Sequence, residues 1–272
     1  MGKKLRLKIL HKVALLTLFV SAGSYGEENV PINLQSNKHV ADVAIIIDDI
    51  GYNKRQGLNA LDLPGALTYA IIPHSPNAVF LAEYARENQK EIMLHAPMSN
   101  INHRPMGPSG LSESMGEVDF TQVLTTAIDS VPYISGVNNH MGSLLTQKRL
   151  PMEWTMKALS EHGLYFIDSR TTSNSVAWLT AQQRNVPSLK RDVFLDNDRK
   201  PEMINDQFSE FIAIAQRRGY AIAIAHPHPE TLDYLKRHLD RLSSQGIRLV
   251  PVSTLVKRYS PNQKQIKANL KQ

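Results

Sequence analysis

Cysteine is absent from the 272 residues. That removes thiolate metal sites, cysteine nucleophiles and disulfides together, so stability must come from packing. Aromatic residues are sparse, at 7%, which leaves few flat faces on which a sugar or a base could stack. An apolar run of bilayer length is also missing. The strongest run, "VALLTLFVSAG" (residues 13–23), is about half of the roughly 20 residues a spanning helix needs.

That run follows Lys3, Lys4, Arg6, Lys8 and Lys12 and is itself followed by small residues. The pattern reads as a signal peptide over residues 1–26, with cleavage after Gly26 or Ser24, rather than as a stable membrane anchor. Its removal takes away five basic and no acidic side chains, so the net charge of +6 falls to about +1. The basic balance is then mostly a targeting signal. The other basic cluster lies in the tail "KRYSPNQKQIKANLKQ", so no basic face for nucleic acid is expected. Residues 27–39 read as a polar linker, 40–259 as the folded domain and 260–272 as a basic polar tail.

Within the domain, short aliphatic runs alternate with longer amphipathic ones, the pattern of repeated β-α units. Candidate strands are 43–47, 67–72, 91–95, 134–139, 164–168, 188–194, 221–225 and 247–252. Candidate helices include "NAVFLAEYARENQ", "TQVLTTAIDSV", "EWTMKALSEH", "PEMINDQFSEFIAIAQRR" and "ETLDYLKRHLDRLSSQ", with Gly163, Gly219 and Gly246 just past three of them as left-handed caps. The expected fold class is α/β, a single complete or distorted barrel of seven or eight mostly parallel strands. Residues 99–119, rich in Gly, Pro and Ser, are expected to be a long loop near the site.

In such folds, reactive groups collect at the carboxyl ends of the strands. Here the ends carry Asp48 and Asp49, then His95, His140, Asp168, and finally His226 with His228. Ordinary core strands do not end this way, because a buried unpaired charge costs several kcal/mol. The simplest joint explanation is a metal site with acid-base partners. One carboxylate with two neutral imidazoles suits zinc, and also cobalt or nickel. One aspartate of the pair would bind the cation, and its neighbour would take a proton from the activated water. Tyr52, beside the pair, is the best placed aromatic face for a sugar.

In this order, "IIIDDIGY", "MLHAPM", "NNHMGS", "FIDSRT" and "AHPHPET" resemble the motifs of the divergent polysaccharide deacetylase family over roughly residues 41–256. The resemblance implies a distorted β/α barrel that removes N- or O-acetyl groups from sugars with a divalent metal, for which the ligand types make zinc the expected ion. It assigns Asp48 as catalytic base, Asp49 and His95 as metal ligands, and His226 as general acid. The better-known deacetylases carry two histidines after one strand, whereas Ala96, Pro97 and Met98 follow His95 here. His140 is the natural substitute ligand. Substrate-contacting or supporting roles fall to Tyr52, Asn139, Asp168, Arg170 and His228. Asp168 would orient a histidine or bind a sugar hydroxyl, and Arg170 would steady the base.

The expected substrate is an acetylated, peptidoglycan-like envelope glycan, and the expected location is the periplasm. Two other readings stay open. One is a non-catalytic binding or scaffold protein that keeps the barrel; the other is a metal-independent glycoside hydrolase using Asp48 with Asp168.

Overall fold

The computed structural model describes residues 41–261. The proposed signal peptide and linker lie outside the described residues, as does the tail beyond position 261. No helix among the described residues is long and apolar enough to cross a membrane.

Among the described residues, nine strands form one sheet. They are β1 (Ala41–Ile50), β2 (Thr68–Ile71), β3 (Glu91–Met98), β4 (Ile134–Met141), β5 (Tyr165–Asp168), β6 (Ser188–Lys190), β7 (Val193–Phe194), β8 (Tyr220–Ala225) and β9 (Ile247–Leu249). The order along the sheet is β6-β5-β4-β3-β2-β1-β8-β7, and every ladder is parallel. β9 pairs with Ala41–Val43, the start of β1, below the stretch from Ile46 onward that pairs with β2.

The two ends of this path are neighbours in the chain. β6 and β7 are separated only by Arg191 and Asp192, a link that spans about 10 Å at full extension. The sheet must therefore curl until its edges meet. The link fastens both sides, since Arg191 N donates to Asp168 O of β5 (3.0 Å) and Asp192 N to Ile222 O of β8 (2.9 Å). The expected sixth strand thus becomes two short ones at opposite edges. The expected eighth is cut to three residues, because Val252 already begins a helix.

Helices α1 (Lys54–Leu61), α2 (Ala78–Glu87), α3 (Glu117–Asp129), α4 (Arg149–Glu161), α5 (Ala177–Gln183), α6 (Pro201–Arg218), α7 (Pro229–His238) and α8 (Val252–Tyr259) complete the unit. Strand alternation sorts the core in two. Val43, Ile45 and Ile47 of β1 join the larger cluster beneath the helices. Ala44 and Ile46 instead join Met93, Tyr165, Ile167, Leu189, Ile222 and Ile224 inside the curl, together with Val252, Leu255 and Val256 of α8. The inward side chains are therefore a packed core, and α8 contributes to it. Ser260, assigned to the tail from sequence, is fully buried, and its Oγ accepts a hydrogen bond from Ser188 N.

Residues 99–116 form the long loop, and its ends are pinned. Leu111 N donates to Pro97 O, Ser99 N to Leu111 O, and Ser99 Oγ to Glu113 at 2.5 Å.

Inside the curl, Gly136 pairs in register with Tyr165, whose ring covers it so closely that an added Cβ would lie 2.2 Å from the ring. Gly136→Ala is predicted to destabilise the fold by about 1–3 kcal/mol through overpacking. Chemical denaturation would read this as a lower midpoint at unchanged slope; an unchanged midpoint would contradict it.

Candidate metal and acid-base site

Inward alternation carries straight into the chemistry. Following Ala44 and Ile46, Asp48 points into the curl and is 2% exposed. His95 follows Met93 on β3, Asn138 and His140 follow Gly136 on β4, and His226 follows Ile222 and Ile224 on β8. By the same alternation Asp49 would face the helices. Instead its backbone takes φ +60° at a register shift between Ile47 and Ile50, and this left-handed bulge turns the second carboxylate onto the rim. Such a conformation costs a non-glycine residue about 1–3 kcal/mol, which marks sites whose geometry matters.

The rim brings three atoms to one point. Asp49 Oδ1 lies 2.9 Å from His140 Nδ1 and 3.2 Å from His95 Nε2, and the two ring nitrogens are 3.1 Å apart. Asp49 Oδ1 is nevertheless buried without a hydrogen bond of acceptable geometry. These separations are close to the ~3.3 Å between ligands that are each ~2.05 Å from one tetrahedral zinc ion. A buried, unsatisfied carboxylate oxygen facing two imidazole nitrogens fits a divalent cation, so Asp49, His95 and His140 are the residues that would hold one. Burial pushes the Asp49 carboxyl up, but the contacts with His140 and His95 outweigh it and leave the group well below the usual carboxylate range. The carboxylate is therefore ionised, as a ligand must be.

Asp48 stands apart from this trio. Its Oδ1 accepts from Asn138 Nδ2 (2.8 Å), and Oδ2 lies 3.6 Å from His95 Nε2. Asn138 Oδ1 in turn meets His95 Nδ1 at 2.7 Å, so one amide fixes both the base candidate and the ring orientation of a ligand. Burial raises the Asp48 pKa, opposed by His95, His226 and the Asn138 bond. Burial lowers that of His95, but the neighbouring aspartates win and raise it.

His226 closes the other side, with Nε2 3.8 Å from Asp49 Oδ2 and Nδ1 3.0 Å from Asp196 Oδ1. Asp196 Oδ2 also accepts from His226 N (2.7 Å) and Thr231 Oγ1 (2.9 Å). Burial opposes the His226 charge, but Asp196 and the aspartate pair prevail and lift its pKa to about 9.

Five of the sequence candidates, Asp48, Asp49, His95, His140 and His226, are thus together. Others are not. Asp168 sits on the outward alternation, fully buried, and accepts from Arg170 N, Ser175 Oγ and Trp178 N. It orients no histidine, and its oxygens are already engaged by these donors, so the Asp48–Asp168 pairing of a glycoside hydrolase is not formed. Arg170 does not steady Asp48; its guanidinium donates to the carbonyls of Ser173 and Ser175. Asn139 braces a turn, accepting from Ser169 N and donating to Met141 O. His228 lies at the start of α7 with its ring 5.8 Å from that of His226, outside the trio. Tyr52 stands exposed at the lip. Asn138 and Asp196 were not anticipated, although extending alternation from His140 and Phe194 selects both.

The family described as divergent polysaccharide deacetylase matches residues 45–256. The chain belongs to that family. The chain is 37% identical over 214 residues to the uncharacterized protein YibQ of Escherichia coli K12, covering 79% of this chain and 67% of YibQ. It is 35% identical over 213 residues to an uncharacterized protein of Haemophilus influenzae, covering 78% and 76% of the two chains. Among solved structures, the uncharacterized protein ATU2773 of Agrobacterium tumefaciens C58 superposes with TM-score 0.77 at 23% identity, covering 81% of this chain and 91% of that one. A mutant of the peptidoglycan deacetylase PdaC of Bacillus subtilis gives 0.51 at 13% identity, covering 85% and 95%. At these identities the structural likeness establishes the deacetylase-like β/α barrel fold.

If Asn138 orients His95 as a ligand, Asn138→Ala should weaken zinc binding about 10- to 100-fold, and Asp49→Ala should weaken it further. Isothermal titration with zinc reads both; equal affinity in all three proteins would contradict the assignment.

Proposed function

We propose that this chain is an exported, metal-dependent hydrolase that removes acetyl groups from an envelope carbohydrate in the periplasm. What carries the reading is the convergence of Asp49, His95 and His140 beside a second, separately held carboxylate, Asp48. Zinc is the cation the nitrogen and oxygen donor set favours. When bound there, the cation polarises the acetyl carbonyl and makes water more acidic.

The protein's own groups handle the protons. Asp48, fixed by Asn138, accepts a proton from the attacking water, and its burial brings its pKa toward the working range of a general base. His226 is held through Nδ1 by Asp196, which leaves Nε2 to deliver a proton to the departing amine or alcohol. The bond from the acetyl carbon to the sugar nitrogen or oxygen breaks, and acetate leaves with the oxygen of water. His140 and His226 are each 18% exposed and His95 only 2%, so substrate approaches between the first two, over the lip that carries Tyr52.

Export rests on the basic and apolar amino-terminal sequence. A peptidoglycan-like glycan is favoured by family membership and by the activity of PdaC, whose fold is similar.

Acetate release from an N-acetylated glycan by zinc-loaded protein tests the proposal. Asp48→Asn is expected to reduce it about 10²- to 10⁴-fold, the share of a general base, with zinc affinity retained. Equal rates in the two proteins would contradict the role of Asp48. Zinc binding without acetate release from any acetylated glycan would favour the binding-module reading.

A further inference from the structure

Beside the metal site lies a cavity of about 530 Å³ whose lining includes Arg170, Thr171, Arg191, Phe194, Asn197 and Asp198, a size suited to a small ligand. It borders the catalytic cluster at Phe194, whose ring packs 5.1 Å from that of His226. Two guanidinium groups face it, and both are anchored only on neutral oxygens. Arg170 donates to Ser175 O (3.0 Å) and Ser173 O (2.9 Å). Arg191 donates to Ser169 O (2.6 Å) and Arg170 O (2.8 Å), with its guanidinium 5.0 Å from the Phe194 ring centroid.

Among the described residues, neither guanidinium has a carboxylate within the 4.0 Å of an ion pair. The nearby acids are engaged elsewhere. Asp168 accepts from Arg170 N, Ser175 Oγ and Trp178 N. Asp192 is held by both terminal nitrogens of Arg218 and by Ile222 N. Asp198 accepts from Lys200 N and lies 3.9 Å from Lys200 Nζ. Each arginine spends two of its five N–H donors, leaving three apiece. Arg170 is moreover held at φ +50°, the left-handed conformation that Asp49 also adopts at the end of its strand. Asp168, Asp48 and Asp192 act on the Arg191 charge from a distance, but neither guanidinium is ion-paired, and two part-buried planar cations with unspent donors beside a reaction centre are suited to bidentate capture of an oxyanion.

We infer that this cavity binds an oxyanion substituent, a carboxylate or phosphoryl group, on the acetylated glycan, so that the enzyme prefers an anionic sugar chain. The inference builds on the deacetylase reading, but its test separates the two. Titration calorimetry on the full chain compares N-acetylglucosamine with N-acetylmuramic acid, which adds a carboxylate, and with N-acetylglucosamine 6-phosphate.

At least one anionic sugar is expected to bind about 10- to 100-fold more tightly than the neutral one, the worth of hydrogen bonds to a charged group. Which of the two binds tighter names the oxyanion. Arg170→Gln, and independently Arg191→Gln in case the first disturbs its loop, should bring that ratio toward one, with the melting temperature showing that the variant is folded. Equal affinities for all three sugars in the unaltered protein, or a ratio indifferent to both substitutions, would overturn the inference. Acetate release assayed on the same samples keeps the readings apart. Anion preference without release sinks the deacetylase reading alone, and release without anion preference sinks the pocket alone.

Discussion

Three lone-pair atoms crowding one point on the rim form the contact around which the rest of the site is arranged. Asp49 Oδ1, His95 Nε2 and His140 Nδ1 lie 2.9–3.2 Å from one another. A low-dielectric interior tolerates such crowding only if positive charge sits among them, as a proton or a metal ion. Ionised Asp49 and the raised pKa of His95 are the proton's version of that compensation. A divalent cation supplies it more completely, because it satisfies all three atoms at once.

The fold meets this demand through two devices. The closed curl, fastened by Arg191 and Asp192, brings the ends of β1, β3, β4 and β8 around one opening. Left-handed residues at or just beyond strand ends, Asp49, Met141 and Arg170, then redirect the chain where a regular strand would carry side chains to the wrong face. At Asp49 the effect is chemical: two adjacent residues that should point oppositely serve one site, one toward the ligand trio and one toward Asn138. Asn138 and Asp196 set the finer geometry by fixing which ring nitrogen of His95 and of His226 faces inward.

Much of this was legible in the sequence, because parallel strands have a simple grammar. Aliphatic runs marked β1 through β5 and β8, and polar residues at their ends marked the rim. Strand ends alone do not say which face a residue takes; alternation along the strand does. Ile167 faces inward with the inner cluster and Phe166 outward, so Asp168 had to be outward, where it accepts from Trp178 N at the start of α5. The same count places Asn138 inside with His140 and Asn139 outside. Asp196 was hidden because "SLKRDVF" looks like one strand, whereas closure of the barrel splits it. That split depends on contacts distant in the chain, as does the lack of an ion pair at Arg170 and Arg191, which follows from where Asp168, Asp192 and Asp198 spend their oxygens. The turn at Asp49 was equally invisible, since aspartate tolerates the left-handed region without announcing it.

The most direct test is a zinc-soaked crystal measured at the zinc absorption edge. A single anomalous peak between Asp49 Oδ1, His95 Nε2 and His140 Nδ1 is the predicted result. The second grouping of possible ligands, Asp196, His226 and His228, is the competing location. A peak there, or none at the trio with zinc in excess, would contradict the account.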